Sequence, residues 1–411
     1  MEKRMVKADY DSKLHRQVMS YPGLARAQVE GFYKGMAEAS FPPEEVLREL
    51  RHIYLTGSGD CWAAAMICKQ VFEKLLGSFS AKVYADSPLH IGRFRSLTAS
   101  ADDPEVAART LLVGLSVWGF PARIVECFRR AQKLGVHTLD ITNNVQSPVA
   151  EAAEYILNVH NPEFPDLHPG CRDYFGTLVS AALTAAKISE VKGLRPKGIM
   201  EQLAGEIISM ADSWAGLLED LDQEMFQLAC QLSTKVDRCE GVGDGVEYAS
   251  AFFFPAKVIE TSGRFATWTD TIHFRKNSIR YREPGRILTI FYGREDSANR
   301  ESLAAAVDLA VRVGREVLLV ADAPWETLGI SSPVRQVLLP KAPKEWPELT
   351  PFFDHLPGDL LASYLCELWG GCYFRGGSSG SFTADQITTI WGRPDMSTLK
   401  GSKIVIVEEE R

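Results

Sequence analysis

Nowhere in the 411 residues is there a run of 18 or more apolar residues, and residues 1–10 are charged without an apolar centre. Those two absences argue against a membrane span and a secretory signal. A basic surplus is missing as well. The 45 Lys and Arg are outnumbered by 53 Asp and Glu, for a net charge of -8, the wrong sign for a nucleic-acid surface. The eight cysteines (61, 68, 127, 171, 230, 239, 366 and 372) show no C-x-x-C spacing. Most fall in apolar helical patterns, where a free thiol packs as a small hydrophobe. The reducing cytosol is therefore the expected compartment, with neither a disulfide framework nor a zinc site. No low-complexity linker occurs. Neither glycine-rich turn, Gly57-Ser58-Gly59-Asp60 or Gly241-Val242-Gly243-Asp244-Gly245, extends to a full G-x-G-x-x-G, which counts against a dinucleotide-binding dehydrogenase. No metal or other cofactor is expected.

What is present is a repeated grammar of buried strand, glycine turn and amphipathic helix. Residues 111–116 (LLVGLS) form an apolar run, followed by a Trp-Gly turn at 117–120 and a helix over 121–135 opened by Pro121 and closed by Gly135. A second strand at 137–142, a helix start at Ser147-Pro148 and a third strand at 155–159 follow. That order spells a right-handed βαβ unit in a parallel sheet covered on both faces. Upstream, 9–38 reads as a leading helix, 44–51 as a short one, and 52–77 as strand, Gly57-Ser58-Gly59 turn and helix, with a strand at 81–88. Ser58 and the free N-H groups before Cys61 would hold an anion at that helix start. Helices over 172–192 and 200–222 bridge to residue 235, where the pattern restarts: a glycine turn, a helix to Ser262, strands at 286–293, 316–322 and 334–340, and a helix at 299–314. The fold class is therefore α/β, two tandem doubly wound parallel sheets flanked by helices, divided as 1–205 and 206–411.

On the helix from about 245 to 262, positions 249, 253, 256 and 260 share one face, occupied by Ala249, Phe253, Ala256 and then Glu260. A carboxylate continuing an apolar stripe should be partly desolvated, with a pKa raised toward the range of a general base. The plainer alternative is a helix-end carboxylate that pairs with Lys257.

The segment ITNNVQSPVAEAAEYIL (141–157), with the strand ending in Ser116 before it, resembles the SIS (sugar isomerase) domain, and the duplicated pattern resembles the double-SIS family of phosphosugar isomerases and deglycases. The resemblance implies a homodimer that handles a sugar or sugar phosphate with no cofactor. It implies a base at Glu260, from the Lys257-Val258-Ile259-Glu260 helix end, and ring opening assisted by His273, which follows Ala266 and Asp270. Lys403, ahead of the closing IVIVEEE, would contact a sugar oxygen. The ligand would be cradled by Ser58, Gly59, Ser116, Val117 and Trp118. Residues 356–369 resemble the family's closing helix, and 370–397 reads as a loop. One departure stands out. Where the family has Ser-x-Ser-Gly-x-Thr/Ser, this chain reads Ser116-Val117-Trp118-Gly119-Phe120-Pro121, losing two hydroxyls and placing an indole where a phosphate would lie. The expected activity is isomerisation, or removal of an amine, at C1-C2 of a phosphosugar or ketosamine phosphate. The alternatives are a regulatory protein that binds such a sugar without turning it over, and a dimer with a vestigial site.

Overall fold

Each central strand is buried on both faces, which is why these segments read as unbroken apolar runs. In β1 (His52–Gly57) and β4 (His137–Thr142) only the leading histidine is partly exposed, and all of β3 (Thr110–Leu115) is buried. The computed structural model describes residues 6–38, 40–97, 104–166, 169–371, 373 and 404–407. In chain order the helices before β1 are α1 (Lys13–Ser20), α2 (Ala25–Ala37) and α3 (Glu44–Glu49). The expected leading helix is thus two, parted at Pro22-Gly23, where proline cannot continue the hydrogen-bond ladder of α1. The first sheet is completed by α4 (Asp60–Leu76), β2 (Lys82–Ala85), α5 (Pro88–Arg93), α6 (Pro104–Ala108), α7 (Ala122–Lys133), α8 (Pro148–Ala152) and β5 (Tyr155–Asn158), with α9 (Arg172–Val191) following. The helix expected over 200–222 is α10 (Ile199–Ala215) and α11 (Leu218–Leu232), separated at Gly216-Leu217.

The second sheet comprises β6 (Arg238–Val242), α12 (Glu247–Ser262), β7 (Ala266–Thr269), α13 (Thr271–Lys276), β8 (Ile287–Gly293), α14 (Arg300–Arg312), β9 (Glu316–Ala321) and β10 (Arg335–Leu338), closed by α15 (Leu356–Leu368). All pairings are parallel, in the orders β2-β1-β3-β4-β5 and β10-β9-β8-β6-β7. Read from β7, the second order is the first one repeated, so the duplication extends from sequence grammar to strand topology. In each sheet the order reverses between the first and third strands, β1/β3 and β6/β8. Open α/β sheets bind ligands beyond the strand C-termini at such a reversal.

By contact, the described residues form two compact units. One holds 24–163, 172–208 and 404–407, and the other holds the residues before 24, those at 164–171 and those from 209 to 373. The first is built on the first sheet, with a core that includes Leu112, Ile124, Phe128 and Val149. The second is built on the second sheet, with Val242, Phe274, Phe291, Val307 and Leu319 at its centre. The N-terminal segment is tied into the second unit by polar anchors. Gln17 donates to Pro169 O at 2.8 Å and accepts from Cys171 N at 3.1 Å, and His15 reaches buried Asp222 at 2.9 Å. The aspartate is driven down to about 2: burial opposes its ionisation, but hydrogen bonds from His15, Tyr364 and Lys7 outweigh it. In α12, Pro255 cannot donate back to Ala251, and the Ala251 carbonyl lies where a Cβ on Gly241 would sit, 2.1 Å away. Only glycine lets β6 approach the helix so closely. Among the described residues no helix is long and apolar enough to cross a membrane.

Candidate functional site

The five residues expected to cradle the ligand lie in two loops at neighbouring strand ends, at the β1/β3 reversal of the first sheet. The first loop leaves β1 through Gly57, where a Cβ would stand 2.5 Å from the Cys61 backbone, passes exposed Ser58, and turns at Gly59 with φ 58°. A side chain is disfavoured at both glycines. The chain then enters α4 with Asp60 in the first turn. The second loop leaves β3 at Ser116 and is pinned to the β4-α8 connection by a ladder of bonds. Thr142 Oγ1 donates to Ser116 O at 2.7 Å, Asn143 N to Val117 O at 3.0 Å, Asn144 Nδ2 to Trp118 O at 3.2 Å and Val149 N to Gly119 O at 3.0 Å. The two loops start side by side, because Gly57 is in register with Leu115, and the Val117 backbone approaches the Cys61 thiol at the start of α4. Val117 is buried, Trp118 half-buried, and Ser116 is buried with its Oγ unpartnered.

Gly119 holds this loop in shape. Its φ is 69°, and a Cβ there would fall 1.8 Å from Ser147 Oγ, the group that caps α8 by accepting from Ala150 N at 3.1 Å. Replacing Gly119 with Ala therefore combines a left-handed alanine with a clash that evicts a helix cap. The expected loss is about 3 kcal/mol, measured by urea denaturation, from strain, overpacking and the lost cap together. A variant within about 0.5 kcal/mol of the parent, the range of ordinary surface changes, would show the loop to be free of this constraint.

The ground beneath these loops is acidic. Burial pushes the Cys61 thiol up to about 12, with Asp60, Asp173 and Asp140 adding to the effect against the Val117 hydrogen bond, so Cys61 is not a thiolate nucleophile. Asp173, in the first turn of α9, accepts from Asn161 Nδ2 at 2.7 Å, yet burial still raises its pKa. Asp140, in the middle of β4, is wholly buried with neither carboxyl oxygen hydrogen-bonded, and burial lifts its pKa well above the usual range. None of these acids was singled out in the sequence, nor were Asn144 and Ser147 as the pins of the Trp118 loop. The Asn-rich strand end ITNN was the available signal.

The two arginines nearest the end of α5, Arg93 and Arg95, are engaged within the first unit. Arg95 lies over Tyr84 at 4.4 Å and Tyr54 at 5.3 Å and reaches Asp86 at 3.3 Å. Arg93 donates to buried Glu126 at 2.6 Å, joined there by Arg123. Glu126 and Arg130 of α7 also hold the half-buried segment 404–407. Val405 N donates to Glu126 Oε2 at 3.3 Å, and Arg130 Nε donates to Val407 O at 3.1 Å. Burial works against ionisation of Glu126, but Arg93, the Val405 N-H and Arg123 overcome it and leave the carboxyl below its usual range. The closing segment is thus clipped to the helix whose N-terminus forms the Trp118 loop. Lys403 and most of the loop expected at 370–397 lie outside the described residues.

Glu260 and His273 belong to the second unit. The stripe expected on α12 is present: Ala249 and Phe253 are buried, Ala256 is half-buried, and the Glu260 side chain retains 29% exposure. Its carboxylate meets Lys257 Nζ at 2.8 Å. That lysine is fully buried, with its ammonium 4.5 Å from the Phe253 ring centre. His273 sits on six-residue α13, which Asp270 caps by accepting from His273 N at 2.7 Å and meeting Nδ1 at 2.5 Å. The imidazole is exposed. Because α12 runs antiparallel to β6 and β7, Glu260 lies at the edge where β7 begins, while His273 follows the edge where β7 ends. Within this unit the two are at opposite ends of a strand about 13 Å long.

No protein-family model matches the chain. Among curated proteins it is similar to the glutamine-fructose-6-phosphate aminotransferases (isomerizing) of Clostridium tetani, at 27% identity over 220 residues, 53% of this chain and 34% of that one. The enzyme of the same name from Caldanaerobacter subterraneus subsp. tengcongensis is 23% identical over 328 residues, 78% of this chain and 50% of that one. The chain thus spans half or less of the length of these relatives. Among solved structures, the C-terminal domain of glucosamine-fructose-6-phosphate aminotransferase from Francisella tularensis superposes with TM-score 0.74 at 16% identity, covering 90% of this chain and 99% of that one. Glucosamine-6-phosphate deaminase from Thermotoga maritima gives 0.62 at 14% identity, covering 88% and 96%. Two parallel sheets of one strand order, the 141–157 segment and these likenesses agree: the chain is a tandem of two SIS-fold domains resembling the C-terminal domain of the glutamine-fructose-6-phosphate aminotransferases.

Proposed function

We propose that the protein acts at C1-C2 of a phosphosugar or ketosamine phosphate, as an isomerase or as a deglycase that releases an amine. The observation that carries this reading is the meeting of the Ser58-Gly59 and Ser116-Trp118 loops at the topological reversal of a sheet whose solved likenesses include a sugar-phosphate deaminase and, from Escherichia coli, a tagatose-6-phosphate ketose/aldose isomerase. The sugar would lie across these loops, its anionic end at the N-terminus of α7, where the start of a helix favours negative charge. Trp118 would give one sugar face a stacking surface. Glu260 would take a proton from one carbon of the open-chain sugar and return it to its neighbour through an enediol or enolamine, with Lys403 contacting the sugar oxygen; because Glu260 and His273 of one chain stand at opposite ends of β7, the His273 that protonates the ring oxygen would have to come from the second copy in the proposed homodimer. A homodimer working in the cytosol belongs to the same proposal; the seven described cysteines are all free thiols.

A second reading, a sensor that binds without turnover, is favoured by the acids beneath these loops and by the salt bridge that already engages Glu260. A panel of aldose, ketose, 2-amino and fructosamine 6-phosphates, followed by both thermal shift and product formation, separates the two. Turnover of any member supports the enzyme, stabilisation without turnover supports the sensor, and no response to any member removes both.

A further inference from the structure

A cavity of about 200 Å³ opens on the N-terminal half of the second sheet, lined among others by Arg238, Glu240, Phe265, Thr267, Tyr281 and Arg282. It lies away from the β6/β8 reversal, and the proposed chemistry does not use it. Its base is a polar row across three strands, because Glu240 is in register with Thr267 on one side and Thr289 on the other. Carboxylates are rare in the middle of a buried parallel strand unless paired, and Glu240 is fully buried. Arg315 supplies one partner. Its Nη1 meets Glu240 Oε2 at 2.5 Å and Thr289 Oγ1 at 3.0 Å, its Nη2 donates to Ser278 O, and its guanidinium lies 5.1 Å from the Phe274 ring centre. The Ser278 hydroxyl also lies close enough to act on the carboxyl, but Oε1 has no partner at hydrogen-bond distance. A buried charged group left half satisfied is costly, and one explanation for its retention is a missing ligand.

The rim has the opposite character. Arg282 is exposed and makes no ion pair among the described residues, while Arg238 is held at the mouth by Glu283 at 2.5 Å and donates to Arg282 O at 3.3 Å. Tyr281 and Phe265 are exposed by 44% and 64%. The cavity thus offers a buried anionic acceptor and a threonine at its base, guanidinium at its mouth and aromatic faces between. At about 200 Å³ the cavity is matched to a small molecule.

We propose that this cavity binds a small free α-amino acid, its ammonium on Glu240 Oε1 and Thr267, its carboxylate on Arg282 with Arg238, and its side chain against Tyr281 and Phe265. Both charged ends are needed, since either alone would leave one pole of the cavity unmatched.

Thermal shift and calorimetry with glycine, L-alanine, L-serine and L-valine on the full chain test this without any turnover. At least one should raise Tm by about 2–4 °C at concentrations well above its Kd. The N-acetyl and carboxamide derivatives of that amino acid should fail. Arg282→Ala and Glu240→Gln should each weaken binding by at least about tenfold, the scale of one charge-assisted hydrogen bond. Because Glu240→Gln also touches a buried ion pair, Thr267→Val and the exposed Arg282→Ala carry the test if that variant does not fold. The proposal is overturned if none of the four amino acids binds, if binding persists unchanged in Arg282→Ala and Thr267→Val, or if inorganic phosphate alone reproduces the shift, which would mark an anion site.

Discussion

Glu260→Gln is expected to lower turnover of the sugar phosphate found active in the panel by about 10²- to 10⁴-fold, the range removed with a general base, and to lower stability at the same time. The second effect follows from Lys257, whose side chain is fully buried with the Glu260 carboxylate 2.8 Å from its ammonium. Removing one partner of such a pair weakens the compensation of a desolvated charge. With Glu260 itself 29% exposed, solvent screening reduces the cost to about 1–3 kcal/mol, below that of a wholly buried pair. Lost activity in the single variant is therefore ambiguous, because a loosened α12 would also produce it.

The double variant Lys257→Met with Glu260→Gln separates the two contributions. Replacing both members of the pair removes the buried ammonium itself, and the methionine fills the lysine's volume against Phe253. Stability should return toward the parent while turnover stays low. If turnover returns with stability, Glu260 is a partner for Lys257 and not the base. Lys257→Met alone completes the cycle, and the coupling of the two substitutions in stability and in kcat is then read separately. His273 gives an independent check. Its side chain is exposed and among the described bonds is engaged only by Asp270, so His273→Asn should cost little stability, and any loss of kcat would report on chemistry.

The tandem sheets were legible because strand, glycine and helix succeed one another in a pattern with few other solutions. HTLDIT and the run ending in Ser116 could only be strands buried on both faces, and Ser147-Pro148 announces a helix start that Ser147 does cap. Shorter elements carried less signal. β7, four residues reading ATWT with two of them only half-buried, has no apolar run to betray it, though it pairs along its whole length with β6. The turns after β1 and β3 were legible for the same reason as the sheets, since glycines mark where a backbone must turn. Their surroundings were not. Nothing in HTLDIT says that its aspartate is unpaired, because satisfaction of a buried polar group is decided by residues distant in sequence. The clasp of 404–407 by Glu126 and Arg130 spans some 280 residues and is invisible to any local pattern. Lys257-Glu260 was visible as a pair three residues apart on a helix, and the pairing formed; what the pattern did not carry was that the lysine is the buried member.

Asp140→Asn is expected to stabilise the protein at pH 8 and to do so progressively less as pH falls. The side chain is fully buried in β4, paired in register with Gly114, and neither oxygen has a hydrogen-bond partner. Burial raises the folded-state pKa well above the usual carboxylate range. In the unfolded chain the group ionises near about 4. Between those two values the folded protein holds a proton that the unfolded chain has released, so stability falls as pH rises through that window and is level below it. Asparagine has no proton to lose and removes that slope. At pH 8 the gain should be about 1–3 kcal/mol, the scale on which a buried unsatisfied polar group is penalised, and it should shrink toward pH 4. Urea denaturation of parent and variant at several pH values measures it; a gap that does not change with pH, or a variant less stable at pH 8, would mean that Asp140 has a partner in solution. The location gives the cost its interest. Two residues along β4, Thr142 pins the carbonyl of Ser116, whose own hydroxyl is buried and unpartnered. Two buried polar groups without hydrogen-bond partners, Asp140 in β4 and Ser116 just after β3, thus sit on neighbouring segments of the first sheet, where native proteins rarely leave them.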